Sequence, residues 1–161
     1  MYKRKIYGKL STWKAESDGK TALLIEGPRR VGKSTIVEEF AKREYKSYIL
    51  IDFSTAPAGI RELFSDLSDL DYLFLQLQLQ YKTDLHERNS LIVFDEVQFC
   101  PSARQAVKAL VRDHRYDYIE TGSLISIRRN VKDILIPSEE RKINMYPMDY
   151  EEFLWATGDD T

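Results

Sequence analysis

The sequence is poor in cysteine, in long apolar runs and in net charge, and each shortage excludes a class of protein. Its single cysteine, Cys100, cannot form an internal disulfide, as expected of a protein in a reducing compartment. No stretch approaches the roughly 20 apolar residues of a membrane span. The basic start MYKRKIYGKL also lacks the apolar segment of a secretory signal. These absences predict a cytoplasmic protein.

The net charge of −2 argues against binding nucleic acid through bulk charge. The charges are nevertheless unevenly distributed. Residues 1–46 contain 12 Lys and Arg against 6 Asp and Glu, whereas residues 133–161 contain 2 against 8. A basic N-terminal third suits a polyanionic ligand such as a nucleotide, although solvated surface charge gives the same count.

Size and periodicity predict one α/β domain over residues 1–161. A chain of 161 residues with 43% hydrophobic and 31% charged residues has the composition of one globular domain. Apolar runs and helical spacings alternate along it, which is typical of a parallel sheet with helices on both faces. The predicted strands are 22–25, 48–53, 91–94, 116–121 and 143–146. The predicted helices are 34–43, 60–67, 70–81, 102–113 and 149–156, with Ser102 as an N-cap.

Residues 70–81 fit two patterns. Leu70, Leu73, Phe74, Leu77 and Tyr81 follow helical spacing, but the alternation LQLQLQ within the segment is also typical of a strand. Leu and Gln both favour helix, so we predict a helix.

The segment 27–34, GPRRVGKS, matches the phosphate-binding P-loop pattern G-x-x-x-x-G-K-[ST]. It lies between a predicted strand and a predicted helix, where the mechanism requires it. Glycines let the backbone curl around phosphate oxygens, Lys33 reaches the β- and γ-phosphates, and Ser34 ligates Mg²⁺. The predicted nucleotide-binding residues are Gly27, Pro28, Arg29, Arg30, Val31, Gly32, Lys33, Ser34 and Thr35. Arg29 and Arg30 have two readings, beside the phosphates or pointing to solvent or a neighbouring subunit.

A second acidic motif follows the predicted strand 91–94. Asp95 is placed to orient hydrated Mg²⁺, and Glu96 beside it to polarise an attacking water, as in a Walker B motif. A base for water favours hydrolysis over transfer to another acceptor.

Polar residues also end the predicted fourth strand. Thr121 or Ser123 could bind the γ-phosphate or the water at the carboxyl edge of the sheet, and the sequence leaves the choice between them open. A polar turn capping the next helix is the alternative. The sequence contains no Asn-Lys-x-Asp motif for guanine, which favours ATP.

Taken together, these motifs resemble the AAA-type P-loop ATPases of bacteria and archaea that carry a separate C-terminal domain of unknown function. The matching segments are GPRRVGKS at 27–34, LIVFDEVQ at 91–98, YIETGSL at 118–124 and MYPMDYEEFL at 145–154. They span nearly the whole chain.

The resemblance implies a P-loop NTPase three-layer sandwich with strand order 5-1-4-3-2, ATP hydrolysis, and a sensor residue after the fourth strand. It also implies an arginine near the fifth strand that acts on a neighbour's nucleotide in a homo-oligomer. Arg141 matches that position, although Glu140 stands where the family commonly has glycine. The family's C-terminal portion is absent from this chain, so we expect nucleotide binding to survive better than turnover.

The remaining basic, histidine, tryptophan and cysteine residues give weaker evidence of a function. Arg104, Lys108 and Arg112 have the spacing of a basic helical stripe, which would be either a solvated face or a DNA-contacting surface. His86 and His114 lack metal-ligand spacing. Trp13, Trp155 and Cys100 are expected to pack in the core.

Three functions remain open at this point. The first is an Mg²⁺-dependent ATPase that drives a switch or remodelling step in an unknown protein partner. The second is a nucleotide-gated interaction module with little hydrolysis. The third is a small-molecule or nucleotide kinase, which the absence of an obvious Arg-rich lid disfavours.

Overall fold

The structure, a computed structural model, describes residues 5–27, 33–123 and 140–144. Its strands are β1 Ala22–Glu26, β2 Ser47–Asp52, β3 Ser90–Asp95, β4 Asp117–Gly122 and β5 Glu140–Asn144. Its helices are α1 Lys5–Ser17, α2 Lys33–Glu44, α3 Ala58–Leu63, α4 Leu70–Tyr81 and α5 Pro101–Asp113. The strands form one parallel sheet in the order β2-β3-β4-β1-β5, which confirms the predicted order 5-1-4-3-2.

The three inner strands of this sheet, β1, β3 and β4, are buried on both faces. Successive residues of a strand point to opposite faces, so Ala22 and Leu24 enter one core while Leu23 and Ile25 enter the other. Helices α3, α4 and α5 cover the first core, and α1 and α2 cover the second. The result is the predicted three-layer α/β/α arrangement of a P-loop NTPase.

Helix α1 was not predicted from the sequence. Ile6, Leu10 and Trp13 lie on one side of it and are buried against the second core. Their spacing is helical, but polar and charged residues surround them and the pattern is short. Burial of Trp13 confirms its predicted packing role, and its indole nitrogen donates to Thr21 Oγ1 at 3.3 Å.

Helix α4 has the predicted bounds. Asp69 caps its first turn by accepting a hydrogen bond from the Tyr72 amide at 3.0 Å. Leu73, Phe74 and Leu77 are buried, a spacing that a helix but not a strand places on one face. Packing of this face against the sheet therefore favours the helix over the strand that the alternation also allowed.

Three predicted boundaries were wrong. Helix α3 ends at Leu63 rather than at 67, because the chain turns at Phe64, whose amide bonds back to the carbonyls of Arg61 and Glu62. Helix α5 begins at Pro101, so Ser102 is not its N-cap; proline suits a first helical position, where no amide donor is needed. Strand β5 begins at Glu140, and its three consecutive charged residues concealed it.

The predicted helix 149–156, with Trp155, lies outside the described residues, as does the end of the predicted strand 143–146. In the part of the chain that the structure describes, no helix is both long and apolar enough to cross a membrane.

Candidate functional site

The candidate site lies where parallel strands end together. Strands β1, β3 and β4 are adjacent, and the amide of Gly27, just after β1, donates to the carbonyl of Gly122 at 3.2 Å. Helix α2 begins at Lys33. This is the position in an open α/β fold where the strand ends and a helix N-terminus converge on a ligand.

Lys33 links the start of α2 to the residue that follows β1. It is only 5% exposed, and its ammonium donates to the carbonyl of Gly27 at 2.8 Å. Lys33, the first residue of α2, is thus bonded to Gly27, the residue that follows β1. A buried ammonium beside a helix N-terminus is a positive centre suited to phosphate.

Asp95 joins three elements of the fold. Its Oδ1 accepts a hydrogen bond from Ser34 Oγ of α2 at 2.8 Å and another from Thr121 Oγ1 of β4 at 2.6 Å. Thr121 Oγ1 also accepts the Glu96 amide at 3.1 Å. The two sequence motifs, separated by about 60 residues, therefore meet through direct side-chain contacts.

Burial raises the pKa of Asp95, and the nearby carboxylates of Asp52 and Glu96 raise it further. Hydrogen bonds from Thr121 and Ser34 act in the opposite direction but are outweighed. The two donors are neutral hydroxyls, so they stabilise the carboxylate in part but bring no positive charge to it. A cation bound at this carboxylate would bring that charge.

Glu96 has an unusual backbone conformation, with φ 54° and ψ 51° in the left-handed region. Strand β3 ends one residue earlier, and Glu96 starts the 3₁₀ turn Val97–Phe99. The turn brings Gln98 back so that its Nε2 donates to Glu96 Oε2 at 2.6 Å. The side chain of Glu96 is thus held by a neighbour two residues along the chain.

Sequence reasoning missed Gln98 and Asp52 as site residues. Gln98 belongs to the segment LIVFDEVQ, but only the 3₁₀ turn shows that it contacts Glu96. Asp52 ends β2 opposite Asp95, so it could have been found by the strand-end argument that identified Asp95.

Not all the predicted site residues come together. Thr35 is exposed on α2, and Ser123 lies one residue beyond β4. Pro28, Arg29, Arg30, Val31 and Gly32 lie outside the described residues.

Arg141 lies apart from Asp95. It pairs in register with Leu23, three residues before Glu26, or about 10 Å along the strand from the carboxyl edge. Its side chain is 44% exposed and contacts Glu16 of α1 at 3.2 Å. The described site is therefore formed without Arg141, and its predicted action on a neighbouring subunit stays a prediction.

The predicted basic stripe on α5 is wrong at its first member. Arg104 is 2% exposed and forms ion pairs with Glu120 of β4 at 3.2 Å and with Glu140 of β5 at 2.8 Å. We call these three residues the closed cluster. Arg104 points into the protein because a guanidinium can bond two carboxylates at once. Neither a solvated face nor a DNA surface includes it.

The oxygen-rich edge fits Mg²⁺ with a nucleotide. Within the described ranges, no group of three or more His, Cys, Asp or Glu residues is arranged to hold a metal. Magnesium sites in nucleotide-binding proteins commonly use one or two carboxylates and complete their coordination with phosphates and water. The uncompensated Asp95 and the adjacent Ser34 hydroxyl match that pattern.

Comparison with known families gives the assignment. A family model described as an AAA domain matches residues 19–154, which include both nucleotide motifs. The chain belongs to the AAA domain family. It is therefore a P-loop ATPase-type nucleotide-binding domain. The separate C-terminal domain that the sequence resemblance implied stays a prediction.

Individual relatives of this AAA domain are distant. An uncharacterized protein of Haemophilus influenzae is 24% identical over 144 residues, which cover 86% of this chain and 34% of the relative. The chain thus spans about a third of that curated relative. Among solved structures, it is similar to C. elegans PCH-2 with a TM-score of 0.47 and 14% identity, over 89% of this chain and 42% of that one.

Proposed function

We propose that this AAA domain binds ATP with Mg²⁺ and hydrolyses it, and that hydrolysis drives a switch or remodelling step in a larger protein. The contact of Ser34 and Thr121 with one oxygen of Asp95 carries the proposal. It joins the P-loop helix, the Walker B strand and the proposed sensor strand at one point. We further propose a cytoplasmic location and a site completed by other copies of the chain.

Phosphate binding falls to the P-loop and Lys33. Residues 27–35 would surround the phosphates with backbone amides, while the Lys33 ammonium pairs with the β- and γ-phosphate oxygens. Because Lys33 is already buried and tied to Gly27, little side-chain entropy is lost when phosphate binds.

Ser34 and Asp95 would hold Mg²⁺. When bound, the ion neutralises charge on the phosphate oxygens and fixes their orientation. The protein contributes an ordered hydroxyl and a carboxylate whose position is set by Thr121. The ordered arrangement lowers the reorganisation needed when the nucleotide arrives.

Glu96 is the proposed general base. Its carboxylate would accept a proton from the attacking water as the γ-phosphoryl group passes to that water, the bond to the β-phosphate oxygen breaks and ADP leaves. The bond of its amide to Thr121 fixes the backbone from which the side chain extends. Thr121, which contacts both acidic residues, is in our proposal the sensor, in preference to Ser123.

One contact favours a second candidate, a nucleotide-gated interaction module with little hydrolysis. Gln98 occupies one oxygen of the Glu96 carboxylate at 2.6 Å. If that contact persists with nucleotide bound, Glu96 has one oxygen fewer with which to accept a proton. The module would then bind ATP and signal through shape alone.

The deciding experiment measures phosphate release from Mg-ATP at increasing concentrations of this chain. Lys33→Ala is the blank, because loss of the ammonium should lower nucleotide affinity about 100-fold. Lys42→Ala is the matched control, since Lys42 is an exposed lysine on the same helix. Glu96→Gln should retain nucleotide binding and lose at least about 100-fold in turnover.

Each result separates the candidates. Turnover above the blank that Glu96→Gln abolishes supports the ATPase, and a specific rate that rises with protein concentration supports completion of the site by another copy. Equal turnover in Glu96→Gln would remove Glu96 as the base. Nucleotide binding without phosphate release favours the interaction module, whereas phosphate found on an added acceptor indicates a kinase.

A further inference from the structure

Helix α4 exposes an apolar surface to solvent, whereas the outer side of a surface helix is normally polar. From Tyr72 to Tyr81 it contains no charged residue, and its opposite side is already buried in the core. Tyr72 is 50% exposed, Leu75 51% and Leu79 62%. Their spacing of three and four residues places them in one stripe. Gln76, Gln78 and Gln80 lie in the same segment, but a contiguous exposed apolar stripe still marks a contact surface.

The stripe borders a groove between α3 and α4, which we call the α3–α4 groove. It has a volume of about 850 Å³. Ile60 and Leu63 of α3 line it together with Leu73 of α4, and Tyr72 and Leu79 of the stripe also contribute to its wall. Its apolar surface thus continues onto the outer side of α4.

The charges around the groove have one sign. Glu62, Asp66 and Asp69 are among its lining residues, and none of the described residues that line it is basic. Hydrogen bonds from Ser68 lower the pKa of Asp66, which favours its charged form.

The basic residue of α3 does not neutralise these acids. The guanidinium of Arg61 donates to the backbone carbonyls of Ala56 at 3.2 Å and Phe99 at 2.7 Å, and also to that of Phe53. It is thus used to fix the loop before α3. The groove thus combines apolar side chains with acidic residues that no basic residue of its described lining neutralises, and Gln76 and Gln80 add uncharged polar groups.

We propose that the α3–α4 groove docks a basic amphipathic helix of a partner protein. Such a helix would place apolar residues against Tyr72, Leu79 and the apolar side chains of the groove, with Lys or Arg beside its acidic residues. The eight residues from Tyr72 to Leu79 extend about 10 Å along the helix axis, so two to three turns of partner helix cover the stripe. The proposal does not depend on ATP hydrolysis.

A small molecule matches the surface less well. Small-molecule sites enclose most of the ligand and place a few polar groups inside the pocket. Here Leu75, which continues the apolar stripe, is not among the residues that line the groove. The acidic residues Glu62, Asp66 and Asp69 are exposed to solvent rather than enclosed in a pocket. A helix can cover both the groove and the stripe.

The test uses a labelled 14-residue helical peptide of Leu and Lys with an apolar stripe, and the same peptide with Glu in place of Lys. Fluorescence anisotropy measures binding of each to the whole chain. We expect saturable binding of the basic peptide alone. Tyr72→Ser with Leu79→Ser should weaken it at least about tenfold, since buried aromatic anchors dominate such contacts.

Two further variants complete the design. Phe99→Ser is the matched control, because Phe99 is 40% exposed and does not line the groove; it should bind the peptide normally. Glu62→Lys with Asp66→Lys should weaken the basic peptide about tenfold and gain binding of the acidic one, as reversed charges require. Circular dichroism melts check that each variant is folded.

Several outcomes would overturn the proposal. They are absence of saturable binding, equal binding of both peptides, or equal loss in Phe99→Ser. If the wild-type chain forms a dimer that Tyr72→Ser with Leu79→Ser dissociates, the groove's occupant is a second copy, and docking of a partner helix is wrong.

Discussion

Two polar clusters lie side by side on β4, and they differ in almost every physical respect. Thr121 belongs to the candidate nucleotide site, where hydroxyls and carboxylates gather at the open edge of the sheet. Glu120, its neighbour, belongs to the closed cluster with Arg104 and Glu140, where all three side chains are at most 3% exposed. The first cluster joins neutral hydroxyls to a carboxylate, whereas the second contains its own counter-charge.

Strand geometry explains how neighbours serve such different purposes. Side chains alternate across the sheet, so Thr121 follows Ile119 toward α2 while Glu120 follows Tyr118 toward α5. Ser34 of α2 lies on the same side of the sheet as Thr121, and Arg104 of α5 lies on the same side as Glu120. The comparison predicts that changes in the closed cluster alter stability, whereas changes in the open site alter nucleotide binding or turnover.

The largest expected effect is that of Arg104→Met. Removing the guanidinium leaves Glu140 without its buried counter-charge and Glu120 without a hydrogen-bond donor, and breaking such a buried pair costs about 3–5 kcal/mol of the free energy of unfolding. Urea denaturation measures this loss. Lys108→Met, at an exposed position of the same helix, is the matched control and should change stability little.

Addition of Glu120→Gln and Glu140→Gln to Arg104→Met should restore part of the lost stability, because no buried charge then remains unpaired. A lost nucleotide affinity in a folded Arg104→Met chain would contradict the separation of the two clusters.

A second prediction concerns pH. Burial raises the pKa of Glu120 well above its ordinary value, the neighbouring Glu140 raises it further, and Arg104 acts against both. The folded state therefore holds a proton that the unfolded state releases. Below the unfolded pKa of glutamate, about 4.3, the protonated Glu120 costs the folded state nothing, so the stability that it contributes is complete. That part of the free energy of unfolding is lost as the pH rises through the pKa of Glu120 in the folded state.

The free energy of unfolding, obtained from urea curves at pH 4 and above, should thus decline by as much as about 1.4 kcal/mol per pH unit from this group in the wild-type chain. The decline should be smaller in Glu120→Gln, which cannot titrate. Parallel pH profiles for the two chains would contradict a shifted Glu120.

The third prediction separates Thr121 from Ser123. Thr121→Val removes a hydroxyl that both donates to Asp95 and accepts the Glu96 amide, so turnover should fall about tenfold and stability by about 1–2 kcal/mol. Ser123→Ala is the matched removal of a hydroxyl two residues along. A larger loss of turnover in Ser123→Ala would identify Ser123 as the sensor.

The smallest expected effect on stability is that of Arg141→Ala. Its ion pair with Glu16 joins two exposed side chains and contributes at most about 0.5 kcal/mol. The informative measurement mixes this variant with Glu96→Gln. Recovery of turnover in the mixture supports an arginine acting on a neighbour, and full activity of Arg141→Ala by itself contradicts that role.

The comparison also shows how far sequence reasoning reached. Glycine, lysine, serine and aspartate at motif spacing identified Lys33, Ser34 and Asp95, because phosphate and Mg²⁺ chemistry restricts which residue types can serve. Arg104 was misjudged since helical spacing fixes only the relative positions of side chains on their own helix. Whether Arg104 faces solvent or two carboxylates depends on Glu120 and Glu140, which lie on strands 16 and 36 residues further along the sequence.

The sequence by itself predicted the parallel sheet and the place of the candidate nucleotide site, since apolar runs and glycines act locally. For residues 70–81 it allowed both a helix and a strand, and packing against the sheet favours the helix. The tertiary structure decided the rest: which oxygen of Asp95 receives Ser34 and Thr121, how Gln98 reaches Glu96, and where Arg104 finds its partners. Those contacts depend on the order in which strands lie side by side. Segments that are far apart in the sequence become neighbours only when the strands pair in this order.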